Sequence, residues 1–222
     1  MITKKLTDQE VMIDNELRFV VDVAGSPSPK VSWTKDDTPI KPDANHIIET
    51  NGPTHTLIIK NAKPTDEGKY RVSAENPLGR VESAAQLTIL EQPTIDKPFG
   101  DVTQPVGSDV HLKCKVLGGR PKATTTWLKN GKEFKPDDRH KITSSPDGTC
   151  ELFIKSLDET DNQDKYTLLI KNKVGQKELN STVTVKAPLE FTQPLKDQDI
   201  LSQSPCVLTV ETNGIPKPTV KW

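Results

Sequence analysis

The sequence predicts an all-β protein built as a tandem array of two-sheet sandwiches. Three observations carry that expectation. Tryptophans recur at a fixed interval, with 94 positions from Trp33 to Trp127 and 95 from Trp127 to Trp222. Apolar residues alternate with polar ones at period two, as in strands with one face in a core and one in water. Turn-forming pairs separate these short runs, and no stretch of helix length shows an amphipathic stripe.

The repeats come first, because a fixed period defines the unit of folding. The segment FVVDVAGSPSPKVSW ends at Trp33 and VLTVETNGIPKPTVKW ends at Trp222; both hold Gly followed by Pro-x-Pro-x-Val-x-Trp. LKCKVLGGRPKATTTW, ending at Trp127, keeps Gly118 and Pro121. Tyr70 and Tyr166 repeat 96 positions apart. A unit of about 95 residues gives three domains: 1–91, 94–186, and 189–222, the last expected to stop after its third strand. The chain is thus expected to be a piece of a longer array.

Within the units, Phe19, Val21 and Val23 alternate with Arg18, Val20 and Asp22. Leu57 and Ile59, Leu152 and Ile154, and Val183 and Val185 repeat the pattern. Ser26-Pro27, Asn51-Gly52-Pro53, Asn130-Gly131 and Asp147-Gly148 supply turns between them. The linkers at 91–94 and 186–190 are short and contain proline, which favours a semi-stiff rod.

The 222 residues carry 30 Lys and Arg against 31 Asp and Glu, for a net charge of −1. Basic residues are scattered among acidic ones, so no nucleic-acid stripe or membrane-binding arm is expected. No apolar run is long enough for a membrane span, and no charged-then-apolar leader opens the chain. The four histidines show no metal-ligand spacing. His111 and Cys114 have opposite parity on one strand and face opposite sides. The acidic run 158–164 lacks the glycine and terminal glutamate of a calcium loop, and a solvated turn is expected. There is no nucleophile motif or phosphate loop. The sequence therefore points to no enzyme, no cofactor, no metal and no small-molecule substrate.

Gly25-x-Pro27-x-Pro29-x-Val31-x-Trp33, followed by Asp66-x-Gly68-x-Tyr70-x-Val72-x-Ala74-x-Asn76-x-x-Gly79, resembles an intermediate-set immunoglobulin-like domain. The resemblance implies a core of Val21, Trp33, Leu57, Tyr70 and Val72 in the first unit. In the second it implies Cys114, Trp127, Leu152, Tyr166 and Leu168, and in the third Val210 and Trp222. Tyr70 is expected to bond back to the preceding turn, and Gly79 and Gly175 to serve the last hairpins. In the second unit Asn162 and Asp164 replace Asp66 and Gly68, so its turn is expected to differ.

In this fold a cystine joins the second strand to the penultimate one. Here Val21, Cys114 and Val210 stand at the first position, and Val72 and Leu168 at the second. No unit holds both partners, so no such disulfide is expected. Cys114, Cys150 and Cys206 are expected as buried or half-buried thiols, with a meeting of Cys114 and Cys150 left open. A missing cystine suits a reducing cytoplasm. Asn180-Ser181-Thr182 is a glycosylation acceptor pattern that points the other way, though three residues arise often by chance.

Short-linked tandems of this kind without the cystine resemble the giant sarcomeric proteins of the titin, twitchin, projectin and obscurin group. That resemblance implies a non-catalytic cytoplasmic scaffold. It would bind actin or myosin filament components and other such domains, and would bear tension. A kinase domain elsewhere in such a chain is compatible with it. The competing expectation is an extracellular adhesion or receptor ectodomain.

Overall fold

The computed structural model describes residues 1–222, which divide into two compact units. One comprises Met1–Gln92 with Gly119–Pro121, the other Pro93–Gly118 with Lys122–Trp222.

The first unit holds β1 (Ile2–Lys4), β2 (Gln9–Met12), β3 (Leu17–Val23), β4 (Lys30–Lys35), β5 (Thr38–Pro39), β6 (His46–Asn51), β7 (Thr54–Ile59), β8 (Gly68–Asn76) and β9 (Gly79–Asp96). A single 3-10 turn, Pro64–Asp66, precedes β8. One sheet runs β1-β3-β7-β6, all antiparallel. The other runs β5-β4-β8-β9, with β2 parallel to β9. The strands follow from the alternation. In β3, Leu17, Phe19, Val21 and Val23 are buried while Arg18 is exposed. Facing residues of both sheets close one core: Phe19, Val21, Leu57, Ile59, Tyr70, Val72, Leu87 and Ile89 have no exposed surface. Each such apolar side chain contributes about 1.5–3 kcal/mol relative to exposure.

The second unit repeats the plan with β10 (Val102–Pro105), β11 (Val110–Arg120), β12 (Thr124–Lys129), β13 (Lys132–Glu133), β14 (His140–Ser144), β15 (Thr149–Ile154), β16 (Asp164–Asn172) and β17 (Gly175–Gln193). Here β15 pairs with β11 and β14. The second sheet runs β13-β12-β16-β17-β10, its last pair parallel. The core gathers Leu112, Cys114, Trp127, Cys150, Leu152, Ile154, Tyr166, Leu168, Val183 and Val185. At the Asn130-Gly131 hairpin both residues take positive φ, 51° and 78°, as a two-residue turn matched to strand twist requires.

Beyond position 187 the two residues expected in a core, Val210 and Trp222, do not enter one. One strand, β18 (Glu211–Ile215), pairs antiparallel with the end of β17. Val210 is only half-buried and Trp222 is 79% exposed. Neither joins a core, because a sandwich buries a side chain only when a second sheet faces it. No such sheet forms among residues 187–222. Cys206 is exposed for the same reason.

Candidate functional site

The positions that decide between the sequence's readings lie at the centre of each sandwich. In the first unit Trp33 stands opposite Val72 in the β4–β8 pair. Val21 and Val72 are both fully buried and fill the space where the fold's cystine would stand. In the second unit Trp127 stands opposite Leu168, and Cys114 and Leu168 belong to one core. Phe99 stacks on Trp127 with ring centroids 5.4 Å apart. Both indole Nε1 atoms are buried without a hydrogen-bond acceptor, so these tryptophans act through volume and shape. Leu57 and Leu152 complete the central layers with no exposed surface.

The turn before each penultimate strand is anchored differently in the two units. In the first, the Tyr70 hydroxyl donates to the Asp66 carbonyl at 2.9 Å. Burial, followed by the charges of Asp66 and Asp36, holds that phenol well above its usual pKa. The Asp66 carboxylate accepts from the Lys63 backbone N–H at 2.8 Å, and His46 Nε2 lies 3.4 Å from its other oxygen.

In the second unit the residue equivalent to Asp66 is Asp161, not Asn162. Asp161 accepts from the Asp158 backbone N–H at 2.9 Å. Asn162 instead takes the place of Glu67: its Oδ1 accepts from Val185 N, as Glu67 accepts from Ile89 N. One extra residue, Gln163 at φ 69°, accommodates the shift.

The acidic run 158–164 is therefore no solvated turn. Asp161 is fully buried and Asp164 8% exposed. Arg139 bonds Asp161 and lies 2.9 Å from Asp158, and Lys129 lies 2.8 Å from Asp164. Lys129 also sits over the Tyr166 ring, 5.6 Å from its centroid. Burial pushes the Tyr166 phenol up to about 12, against the opposing Lys129 charge. His140 bridges this cluster, with Nδ1 2.9 Å from Asp137 and Nε2 3.0 Å from the Tyr166 hydroxyl. The repeated stretch Lys-Pro-Asp-x-x-His, at 41–46 and 135–140, is the signal that would have located these histidines.

The remaining positions fall on strand ends and surfaces. Gly79 opens β9 with φ 153°. Gly175 opens β17, and its N–H donates to Asn172 Oδ1 at 3.0 Å. Asn180 lies within β17 opposite Thr167, whose hydroxyl donates to its Oδ1 at 2.7 Å. His111 is half-exposed near Glu151, on the face away from Cys114. No group of three or more His, Cys, Asp or Glu side chains could hold a metal ion. No helix is long and apolar enough to cross a membrane.

The profile of the immunoglobulin I-set domain matches residues 1–89 and again 93–185. Muscle M-line assembly protein unc-89 of Caenorhabditis elegans is 31% identical over 216 residues, covering 93% of this chain and 3% of that protein. Roundabout homolog 1 of Mus musculus is 31% identical over 199 residues, covering 89% of this chain and 12% of that protein. The chain thus spans a small part of the relatives it matches. Among solved structures, an I-band fragment I67-I69 from titin superposes with a TM-score of 0.65 at 23% identity, covering 97% of this chain and 76% of that one. The chain belongs to the immunoglobulin I-set family, as a tandem of two such domains whose relatives include muscle proteins.

Proposed function

We propose that this chain is a non-catalytic segment of a cytoplasmic muscle scaffold that binds filament proteins, such as actin or myosin components, and bears tension along its length. The observation that carries the reading is that Val21 and Val72 share one buried core, and Cys114 and Leu168 another, at the positions where a secreted member would place its cystine. A domain that folds in an oxidising compartment gains about 2–4 kcal/mol from that bond. A domain in a reducing one gains nothing from it and keeps apolar volume instead. The likeness to unc-89 supports the same reading.

The topology supports load bearing. In each unit a strand near the chain's entry runs parallel to the last one: β2 with β9, and β10 with β17. Pulling the ends of a unit apart loads these hydrogen bonds in shear, so resistance is set by the unfolding rate.

A second reading, an extracellular adhesion or receptor ectodomain, is supported by the Roundabout relative and by the Asn180-Ser181-Thr182 pattern. One measurement separates them, and a second tests the tension bearing. Mass spectrometry of the Asn180 peptide from native-source protein is expected to show an unmodified residue; a glycan there favours the second reading. Stretching the chain between its termini is expected to give two resisted unfolding events. Free extension would remove tension bearing from the proposal.

A further inference from the structure

The second unit contains a pair of cysteines that its function has not used. Cys114 in β11 and Cys150 in β15 are register partners in an antiparallel pair. Residues directly opposite one another have Cα atoms about 4.5–5.5 Å apart, inside the range of about 4.4–6.8 Å that a disulfide spans. Their side chains leave the same face of the sheet, and both thiols are core-facing and free, at 2% and 3% exposure. The equivalent pair in the first unit is Val21 opposite His55, so this chemistry belongs to the second unit alone.

The two thiols are about equally buried but differ in what lies beside them. Cys150 lines a surface cavity of about 630 Å³, together with Lys122, Ser144, Ser145, Asp147 and Gly148. Cys114 is not among its walls. Burial pushes the Cys114 thiol up to about 11, with the neighbouring Cys150 adding to the effect. A thiol so held is a poor first nucleophile. Lys122 and Asp147 place one charge of each sign on the cavity wall, which suits a small zwitterionic thiol compound.

We propose that Cys114 and Cys150 form a reversible redox switch within one sheet of the second unit, closed by a low-molecular-weight disulfide such as oxidised glutathione. The Cys150 thiolate attacks one sulfur of the glutathione disulfide. That S–S bond breaks, a mixed disulfide forms on Cys150, and one glutathione leaves as a thiolate that takes a proton from solvent. Cys114 then loses its proton to solvent and attacks the Cys150 sulfur. The second glutathione leaves, and the Cys114–Cys150 bond remains. Two protein thiols are oxidised and one glutathione disulfide is reduced to two thiols; excess reduced glutathione reverses the sequence. The bond crosses a strand pair that is already formed, and it links positions 36 apart in the chain. It therefore restricts the unfolded chain more than the folded one.

The test uses the whole chain with exposed Cys206 replaced by Ser, incubated in native buffer at graded ratios of oxidised to reduced glutathione and quenched by alkylation. Intact mass and peptide mapping are expected to show loss of two hydrogens, a cross-linked Cys114–Cys150 peptide, full reversal by reduced glutathione, and a higher melting midpoint for the oxidised form. In Cys114→Ala the reaction is expected to stop at one glutathionyl group on Cys150. In Cys150→Ala, Cys114 is expected to stay unmodified. The proposal is overturned if both thiols stay free at ratios that fully modify Cys206 in the unaltered chain. It is also overturned if two separate glutathionyl adducts accumulate, or if the cross-link appears only in denaturant. None of these outcomes needs an alanine variant, so they stand even where one fails to fold.

Discussion

The Nε2 of His140 lies 3.0 Å from the hydroxyl of Tyr166, whereas the equivalent hydroxyl of Tyr70 donates to the backbone carbonyl of Asp66 at 2.9 Å. One tyrosine position thus meets a side chain of another strand in the second unit and the main chain of its own turn in the first. Replacing Tyr70 by Phe deletes a buried donor and leaves the Asp66 carbonyl without it. The expected cost to the first unit is about 1–3 kcal/mol, read by urea denaturation. A variant as stable as the parent would mean that the hydroxyl does not anchor the turn.

Trp127 is 4% exposed, stacked on Phe99 and opposite Leu168. Trp127→Ala removes the largest side chain of the second core and leaves a void that close-packed neighbours only partly fill. The expected loss is about 3–5 kcal/mol, confined to the second unit's unfolding transition. A loss below about 1 kcal/mol would refute its central placement, because exposed substitutions fall in that range.

Arg139 and the fully buried Asp161 form the charged centre of the second unit. Arg139→Met strips the carboxylate of its guanidinium and leaves Lys129, 3.7 Å away, as the remaining cation. The expected destabilisation is about 3 kcal/mol, because a buried charge stripped of its hydrogen-bonded partner is costly and Lys129 lies closer to Asp164 than to Asp161. Arg139→Met with Asp161→Asn should cost less than the sum of the two single changes. Additivity within error would show that the pair is not coupled.

The two sandwiches were legible in the sequence because their signals are local. Alternation in 17–23 and 150–154 gives strands, and the glycine at Asn130-Gly131 gives a hairpin. The exposure of Trp222 and the partial exposure of Val210 were not legible in the same way. Their residue types match Val21 and Trp33, but burial depends on a facing sheet that residues 187–222 do not form. The equivalence of Asp66 and Asp161 was hidden by one inserted residue, since aligning the tyrosines moves the aspartate by one position. The paired carboxylates of 158–164 were hidden because Lys129 and Arg139 reach them from distant strands. The opposition of Cys114 and Cys150 is a matter of register, which pattern within either strand cannot fix.

Asp137 provides the clearest acid-sensitive contact. The His140 ring bonds its carboxylate, the Arg139 and His140 backbone N–H groups add two more bonds, and together they outweigh burial and hold its pKa down to about 2. An unperturbed aspartate titrates near 3.9. Below that value the unfolded chain takes up a proton that the folded chain refuses, so stability falls as pH falls. The contribution is complete above about pH 4 and is lost as pH drops through about 2. The side chain is 58% exposed, so solvent screening keeps the effect small. Asp147, Glu151 and Asp158 are also held below the usual carboxylate range and share the same acid limb. A difference between variants is therefore the informative quantity. Denaturation midpoints of the second unit measured from pH 5 to pH 2 should fall less steeply for Asp137→Asn than for the parent. Parallel curves would show that the His140 and backbone bonds to Asp137 do not distinguish the folded from the unfolded state.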